Sequence, residues 1–250
     1  MIQLKDKVAI VTGSAKGIGR AIAEKLAMAR ANVVIADIDF DLARRTAEDI
    51  QAKYGQTAIA VNVDVTKADD VQRMVRQAVE AFGRADILVN NAGVQSYTSF
   101  EDMTLDEWKR VLDINLTSMF LCCKEVSTVM SHQNSGRIIN LSSMSARTGG
   151  QASPPNYTTS KAGVIGITKA LARSLGPKGI TVNALAPGII DTDMIAHWTE
   201  AQRRDWEKRI PLGRLGVPED VANSVVFLAS DLASYITGVV LDINGGYVMP

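Results

Sequence analysis

The stretch Thr12-Gly13-Ser14-Ala15-Lys16-Gly17-Ile18-Gly19 follows directly on the apolar run Val8-Ala9-Ile10-Val11. Glycines let a backbone turn tightly and approach a pyrophosphate, and the amides at a helix N-terminus bind negative charge. An apolar strand that passes through such a turn into a helix predicts a dinucleotide-binding unit. The spacing of the glycines matches neither GxGxxG, whose last position falls on Ile22, nor GxxxxGK(S/T).

Short β-branched runs and helical stretches alternate along the rest of the chain. Helices are predicted over about 19–30 and 40–54, and further strands over 33–36, 58–63, 87–89, 137–141, 181–184 and 239–243. Nearly continuous apolar strands are typical of a parallel sheet that is buried on both faces. We therefore expect an α/β fold, a Rossmann-type doubly wound parallel sheet flanked by helices on both faces, as a single dinucleotide-binding and catalytic domain over residues 1–250.

Composition and charge exclude several other classes of protein. The 27 basic and 27 acidic side chains cancel, and no basic cluster is interleaved with aromatics, so nucleic acid is not an expected partner. The N-terminus lacks a signal-peptide pattern and no apolar run could span a bilayer, which predicts a soluble, cytoplasmic protein without a membrane partner. Cys122 and Cys123 are adjacent, and neither His132 nor His197 has a partner at metal-ligand spacing. We expect two reduced core thiols and no metal site.

Asp37 indicates the nature of the nucleotide. It ends the second predicted strand, 18 residues beyond Gly19, where a carboxylate can accept hydrogen bonds from an adenosine ribose. A 2′-phosphate would meet this charge, and the neighbouring Ile38 offers no compensating cation. The expected cofactor is therefore NAD. NADP is less favoured, although Lys16 could reach a 2′-phosphate.

Tyr157 and Lys161 stand four positions apart, so on a helix they share one face. A neighbouring ammonium favours the phenolate and draws the pKa of the phenol toward the neutral range. The pair could therefore act as a general acid/base. Because Tyr and Lys often occur at this spacing on amphipathic helices, the meaning of the pair depends on its surroundings.

Several motifs in a fixed order supply those surroundings, and through them essentially the whole chain resembles the short-chain dehydrogenase/reductase family. They are Thr12 to Gly19, Asn90-Asn91-Ala92-Gly93, Asn115, Ser143, Tyr157 with Lys161, and Pro187-Gly188. The resemblance implies that Tyr157 exchanges a proton with the substrate oxygen and that Ser143, rather than the adjacent Ser142, hydrogen-bonds the same oxygen. It further implies that Lys161 lowers the pKa of Tyr157 and holds the nicotinamide ribose, and that Asn115 supports a water linking Lys161 to solvent.

The resemblance also implies a set of cofactor-binding residues and a homotetramer, with which the apolar C-terminal stretch 239–250 agrees. The cofactor set is Gly13, Ala15, Lys16, Gly17, Ile18, Gly19, Asp37, Ile38, Asp64, Val65, Asn91, Ala92, Gly93, Tyr157, Lys161, Pro187, Gly188, Ile190 and Thr192.

The substrate is expected to bind between two irregular loops, about 145–156 and 191–216. Thirteen residues separate Ser143 from Tyr157, one more than is usual in the family, and Pro154-Pro155 among them should shape the pocket wall. Polar side chains that could read hydroxyls favour an NAD-dependent dehydrogenase of a secondary alcohol, such as a polyol or sugar, that works reversibly with the corresponding ketone. They are Gln95, Ser145, Arg147, Gln151 and Asn156.

Two other functions stay open from the sequence. One is an NADPH-dependent 3-oxoacyl-carrier-protein reductase, for which a basic cluster could dock the carrier: Arg203, Arg204, Lys208 and Arg209. The other is a non-catalytic nucleotide-binding protein. This last function is disfavoured because such a protein has no need for Asn115, Ser143, Tyr157 and Lys161 together.

Overall fold

A sheet of seven parallel strands lies at the centre of the computed structural model, which describes residues 2–150 and 153–249. The strands lie in the order β3-β2-β1-β4-β5-β6-β7, and all of the pairings between them are parallel. They are β1 Val8–Thr12, β2 Asn32–Asp37, β3 Ala58–Asn62, β4 Ile87–Asn90, β5 Gly136–Leu141, β6 Ile180–Pro187 and β7 Val240–Ile243.

Helices connect the strands and cover both faces of the sheet. They are α1 Gly17–Met28, α2 Phe40–Tyr54, α3 Ala68–Phe82, α4 Leu105–Leu112, α5 Ser118–Gln133, α6 Ser145–Thr148, α7 Pro155–Leu175, α8 Glu200–Arg209 and α9 Pro218–Ala229. A single π-helical turn, Asp113–Thr117, joins α4 to α5. Within residues 2–150 and 153–249, no helix is both long and apolar enough to cross a bilayer.

The strands send alternate side chains into two hydrophobic cores, as the period of an extended chain requires. Ala9 and Val11 of β1 pack in the core that contains α1, α2 and α9. Val8 and Ile10 point the other way, into the core that contains α3, α5 and α7. The expected fold class, a doubly wound sheet covered on both faces, is therefore confirmed, whereas the extent of the domain over residues 1–250 stays a prediction.

The topology positions the glycine-rich turn at the centre of the sheet. β1 is flanked by β2 on one side and β4 on the other, so the chain leaves β1 in one direction and returns later on its opposite side. Ligands bind such sheets at this switch point, beyond the carboxyl ends of the strands. The turn between β1 and α1 lies at that point.

Both cysteines are buried in α5 and free of disulfides. Burial raises the pKa of the Cys123 thiol to about 12, and its sulfur accepts a hydrogen bond from Asn90 at 3.3 Å. Among the described residues, no three His, Cys, Asp or Glu side chains are grouped as they would be around a metal ion.

Candidate active site

The glycine-rich turn is held in shape by Asn91, the second residue of the Asn-Asn-Ala-Gly motif. Its Nδ2 donates to the carbonyl oxygens of Thr12 at 2.9 Å and Gly13 at 2.8 Å. A Cβ on Gly19 would overlap the Gly13 carbonyl oxygen and lie 2.5 Å from Asn91 Nδ2. Gly13 has a φ of +62°, and a Cβ there would lie 2.8 Å from Ala92 Cα. The turn therefore requires glycine at both positions, and the Asn91 side chain braces it.

A cleft of about 660 Å³ opens above the carboxyl ends of the strands, beside this turn. Every residue of the expected cofactor set lines it, with the exception of Ala15. Ala15 is buried, and its N–H donates to Asp37 Oδ2 at 2.9 Å, so its role is to fix that carboxylate. The cleft runs from Asp37 at one end to Tyr157 and Thr192 at the other, as an extended dinucleotide requires.

The end of the cleft at Asp37 carries mainly negative charge. The other oxygen of the Asp37 carboxylate accepts from the backbone N–H of Asp39 at 3.1 Å, and Ile38 beside it is 68% exposed. Lys16 reaches the opposite way, with its Nζ 3.8 Å from Asp193 Oδ2 and both side chains largely exposed. Hydrogen bonds from Thr66, led by its hydroxyl, hold the pKa of Asp64 below its ordinary value. A 2′-phosphate at this end of the cleft would therefore lie near carboxylates, because Lys16 is paired with Asp193 instead.

The reactive groups meet where β5 ends and α7 begins. Pro155 is the first residue of α7, a position where a helix tolerates the missing N–H. Lys161 Nζ donates to the carbonyl oxygen of Leu141 at 2.8 Å and lies 5.7 Å from the centre of the Tyr157 ring. The Ser143 hydroxyl hydrogen-bonds the Tyr157 phenol. The predicted Tyr, Lys and Ser are thus brought together around one point of the cleft.

Ser142 has a different partner, which separates it from Ser143. Its hydroxyl donates to the backbone carbonyl of Lys161 at 2.8 Å and so ties β5 to α7. The Ser143 hydroxyl accepts from the backbone N–H of Ser145 at 3.1 Å and remains beside Tyr157. The geometry agrees with the choice of Ser143 as the residue that meets a substrate oxygen.

Burial sets the protonation of the two central groups. Burial raises the pKa of the Tyr157 phenol. The hydrogen bond with Ser143 lowers this pKa, and the charge of the nearby Tyr97 raises it further. Burial also lowers the pKa of Lys161 to about 8. The lowering of the Tyr157 pKa expected from Lys161 is not found here, because the cause that lowers this pKa is Ser143 and burial exceeds it. At neutral pH Tyr157 is protonated, which suits it to donate a proton.

Asn115 lies in the π-helical turn and its side chain is fully buried. Its Nδ2 donates to the Val94 carbonyl at 2.9 Å and to Ser160 Oγ at 3.0 Å, and its Oδ1 accepts from the Val94 N–H at 2.8 Å. Both amide hydrogens are used, so the side chain has no donor left for the expected water. In this structure Asn115 fastens the loop after β4 to α7, one residue from Lys161.

The residues expected to read substrate hydroxyls separate into two groups. Gln95 and Ser145 line the cleft. Arg147 does not, because its guanidinium pairs with Asp242 at 3.2 Å. Asn156 is fully buried, and its Oδ1 accepts from the N–H of Tyr157 at 2.7 Å.

The substrate role expected for Arg147 and Asn156 therefore does not fit their positions. A sequence shows that such residues are near the site but not which way the loop directs them. Gln151 lies outside the described residues.

Apolar side chains in the lining of the cleft were not anticipated from the sequence. They include Val94, Met144, Ile189, Met194, Ile195 and Trp198. They come from three separate segments and share no motif. Only the position of several of them in the irregular segment 191–216 could have indicated a role.

Comparison with known proteins identifies the fold family. A family model described as "Enoyl-(Acyl carrier protein) reductase" matches residues 13–248. A short-chain type dehydrogenase/reductase from Mycobacterium marinum superposes with a TM-score of 0.93 at 38% identity, covering 99% of this chain and 98% of that one. The chain belongs to the short-chain dehydrogenase/reductase family. It is therefore an NAD(P)-dependent oxidoreductase, and the expected family is confirmed.

Curated members of the short-chain dehydrogenase/reductase family resemble the chain over nearly its whole length. The 3-oxoacyl-(acyl-carrier-protein) reductase FabG of Aquifex aeolicus is 46% identical over 98% of both chains. The 3-oxoacyl-(acyl-carrier-protein) reductase of Synechocystis sp. is 43% identical over 100% of both chains.

Proposed function

We propose that the chain is a reductase of 3-oxoacyl thioesters, which converts the 3-keto group to a 3-hydroxyl group. The observation that carries this proposal is the set of relatives named as 3-oxoacyl-(acyl-carrier-protein) reductases, 41–46% identical over 97–100% of this chain. They favour this function, the alternative from the sequence, over a polyol or sugar dehydrogenase.

The lining of the cleft supports the same choice. Of the five polar residues that suggested a polyol or sugar, Arg147 and Asn156 point elsewhere. The lining of the same cleft includes the apolar side chains of Met144, Met194 and Trp198. Apolar walls stabilise an acyl chain by burying its methylenes, whereas they leave the hydroxyls of a sugar without partners.

The reduction uses the residues around Tyr157 in defined roles. A nicotinamide held at the Lys161 and Thr192 end of the cleft would supply the hydride that forms the new C–H bond at the ketone carbon. Tyr157 gives its phenolic proton to the ketone oxygen, and Ser143 donates a hydrogen bond to that oxygen as negative charge develops. The Lys161 ammonium then faces the phenolate that remains and stabilises it until solvent returns the proton.

We propose NADH rather than NADPH as the reductant. The carboxylate of Asp37 stands where the adenosine ribose is expected, with no cation at position 38. Lys16 is the one group that argues for NADPH, and it pairs with Asp193 in this structure.

The acyl group could be carried by coenzyme A or by a carrier protein. The basic cluster that suggested a docking surface on α8 is largely neutralised within the chain. Arg203 pairs with Asp191, and Arg209 pairs with Asp205, each at 2.6 Å. The helix therefore offers a weaker basic surface than its sequence indicates.

Initial rates distinguish the candidates. The enzyme is assayed with NADH and NADPH against acetoacetyl-coenzyme A, and with NAD and NADP against a panel of polyols and sugars. Reduction of the thioester, with NADH at least about tenfold better than NADPH, a difference of about 1.4 kcal/mol, supports the proposal. Oxidation of a polyol without reduction of the thioester would favour the polyol dehydrogenase instead. The positions of Gln95 and Ser145 in the lining of the cleft are consistent with that function. No turnover in either arm, with normal NADH binding, would favour a non-catalytic protein.

We further propose a homotetramer. β7 lies at the edge of the sheet, and large apolar side chains near it are exposed, including Leu232, Tyr235 and Leu241. Such a patch is better covered by another subunit than by water. Sedimentation at micromolar concentration should give the mass of four chains, and a purely monomeric protein would refute this. The cytoplasmic location and the absence of nucleic-acid partners stay predictions.

A further inference from the structure

Trp198 forms an aromatic wall of the cleft that neither the family motifs nor the mechanism uses. It lines the cleft together with Met194 and Ile195, its neighbours in the segment 191–198. This segment contains Thr192, which the family resemblance assigns to the nicotinamide end. Trp198 is therefore placed on the substrate side, away from the Asp37 end where the nucleotide base is held.

The indole of Trp198 is backed by a second aromatic layer. Its ring stacks on Trp206 of α8, with centroids 6.1 Å apart and planes inclined by 14°. Tyr247 also packs edge-on against Trp206, with ring centroids 5.5 Å apart, and the Arg209 guanidinium lies 5.2 Å from the centre of the Trp206 ring. Aromatic pairs at these distances attract one another beyond the burial of their area. The wall is thus supported from behind.

The segment that carries Trp198 is also fastened at both ends. Arg203 donates to the Asp191 carboxylate at 2.6 Å and to the Ile195 carbonyl at 3.3 Å, and its side chain is only 21% exposed. Thr199 and Gln202 form a reciprocal capping box directly after Trp198. These contacts restrict the ways in which the indole could move aside for a longer ligand.

We propose that Trp198 is the specificity-determining residue that limits the acyl chain, so that the preferred substrates are short 3-oxoacyl thioesters of about four to six carbons. This inference rests on the proposed function. The acyl group must lie in the room that the dinucleotide leaves free in this cleft, and Trp198 lines the cleft together with Thr192. An indole backed by packed aromatics closes that room, because an extra methylene in a filled apolar pocket is disfavoured by steric overlap.

The test is a chain-length profile of kcat/KM with 3-oxoacyl-coenzyme A thioesters of four to ten carbons. Wild-type enzyme should prefer the four-carbon substrate. Trp198→Ala should raise the ratio of the eight-carbon to the four-carbon rate at least about tenfold. Trp198→Phe, which preserves an aromatic ring, should give a smaller rise and guards against misfolding of the alanine variant. Trp108→Ala is the matched control, because Trp108 lies on α4 and does not line the cleft.

A parallel series of alkyl-substituted ketones separates this inference from the proposed function. If the ketones are reduced and the thioesters are not, the thioester function fails while Trp198 is still tested by the ketone profile. If neither series turns over, binding of saturated acyl-coenzyme A of four and eight carbons is compared by calorimetry. Equal chain-length profiles in wild type and in both Trp198 variants, whichever readout applies, would overturn the proposal.

Discussion

Replacing Gly19 by alanine should damage the cofactor site and the stability of the fold together. The added Cβ would overlap the Gly13 carbonyl oxygen, a backbone atom, and lie 2.5 Å from Asn91 Nδ2. To relieve the overlap, the turn must open and weaken the two hydrogen bonds from Asn91, at 2.9 and 2.8 Å. Because neither neighbour is the free end of a flexible side chain, this shift has a substantial energetic cost.

The size of the effect follows from these contacts. Overpacking costs about 1–3 kcal/mol, and each weakened hydrogen bond costs up to about 1 kcal/mol. The better helix propensity of alanine offsets about 1 kcal/mol of this loss of stability. We expect Gly19→Ala to lower the free energy of unfolding by about 2 kcal/mol, measured by urea denaturation. We expect the Kd for NADH to rise at least about tenfold, a change of about 1.4 kcal/mol measured by titration calorimetry.

Gly166→Ala is the matched control. Gly166 lies inside α7, and a Cβ there would meet no atom within 4 Å. This substitution should stabilise the protein by about 0.5–1 kcal/mol and leave NADH binding unchanged. If Gly19→Ala is as stable as wild type and binds NADH equally well, the steric account of the turn is refuted.

Three further predictions concern charged residues. Asp37→Ala should abolish most of the preference for NADH over NADPH in the ratio of kcat/KM values, whereas Asp41→Ala, on an exposed side chain, should preserve it. Lys161 has a folded-state pKa of about 8 against an ordinary 10.5, so it opposes folding below pH 8 and this cost disappears as the pH rises to about 10.5. Lys161→Met should therefore raise the free energy of unfolding at pH 7 by about 2 kcal/mol, after the lost hydrogen bond is subtracted, and denaturation curves should show that this gain has vanished before pH 10.5 is reached. Arg203→Gln should raise the KM for the ketone several-fold with little change in NADH binding, while Arg204→Gln, whose pair is exposed and 3.9 Å long, should change neither. Unchanged kinetics in Arg203→Gln would contradict its role in holding the segment over the cleft.

The fold was predictable because local signals agreed with one another. α2 runs over Phe40–Tyr54, as expected, since Asp39 caps its first turn through Leu42 and Gly55 ends it with a φ of 68°. α1 begins at Gly17, two residues before the expected position, because the glycine turn leads directly into the first helical turn. The strands were recognisable as short apolar runs, most of them buried between helices, whereas the edge strands β3 and β7 are only partly buried.

The catalytic residues could be predicted from the sequence only through their motifs. The residues that form the walls of the substrate pocket could not be predicted. Tyr157 and Lys161 meet because helical spacing places them one turn apart, which a sequence shows directly. The direction of Arg147 depends on Asp242, which is 95 residues away, and the stack of Trp198 on Trp206 depends on how the segment 191–198 folds back. Long-range pairings of this kind leave no periodic signal.

If Tyr157 delivers the proton in the reduction of a ketone, as we propose, a Tyr157→Phe variant should lose this reaction and keep its cofactor. Reduction of acetoacetyl-coenzyme A is followed by loss of reduced-nicotinamide absorbance, and cofactor binding is measured in parallel by calorimetry. Tyr54→Phe, on α2 and hydrogen-bonded to Glu24, serves as the control. We expect kcat to fall at least about 100-fold in Tyr157→Phe, with the cofactor Kd nearly unchanged and the control fully active. A Tyr157→Phe enzyme that turns over within a few-fold of the wild-type rate would refute this role of Tyr157.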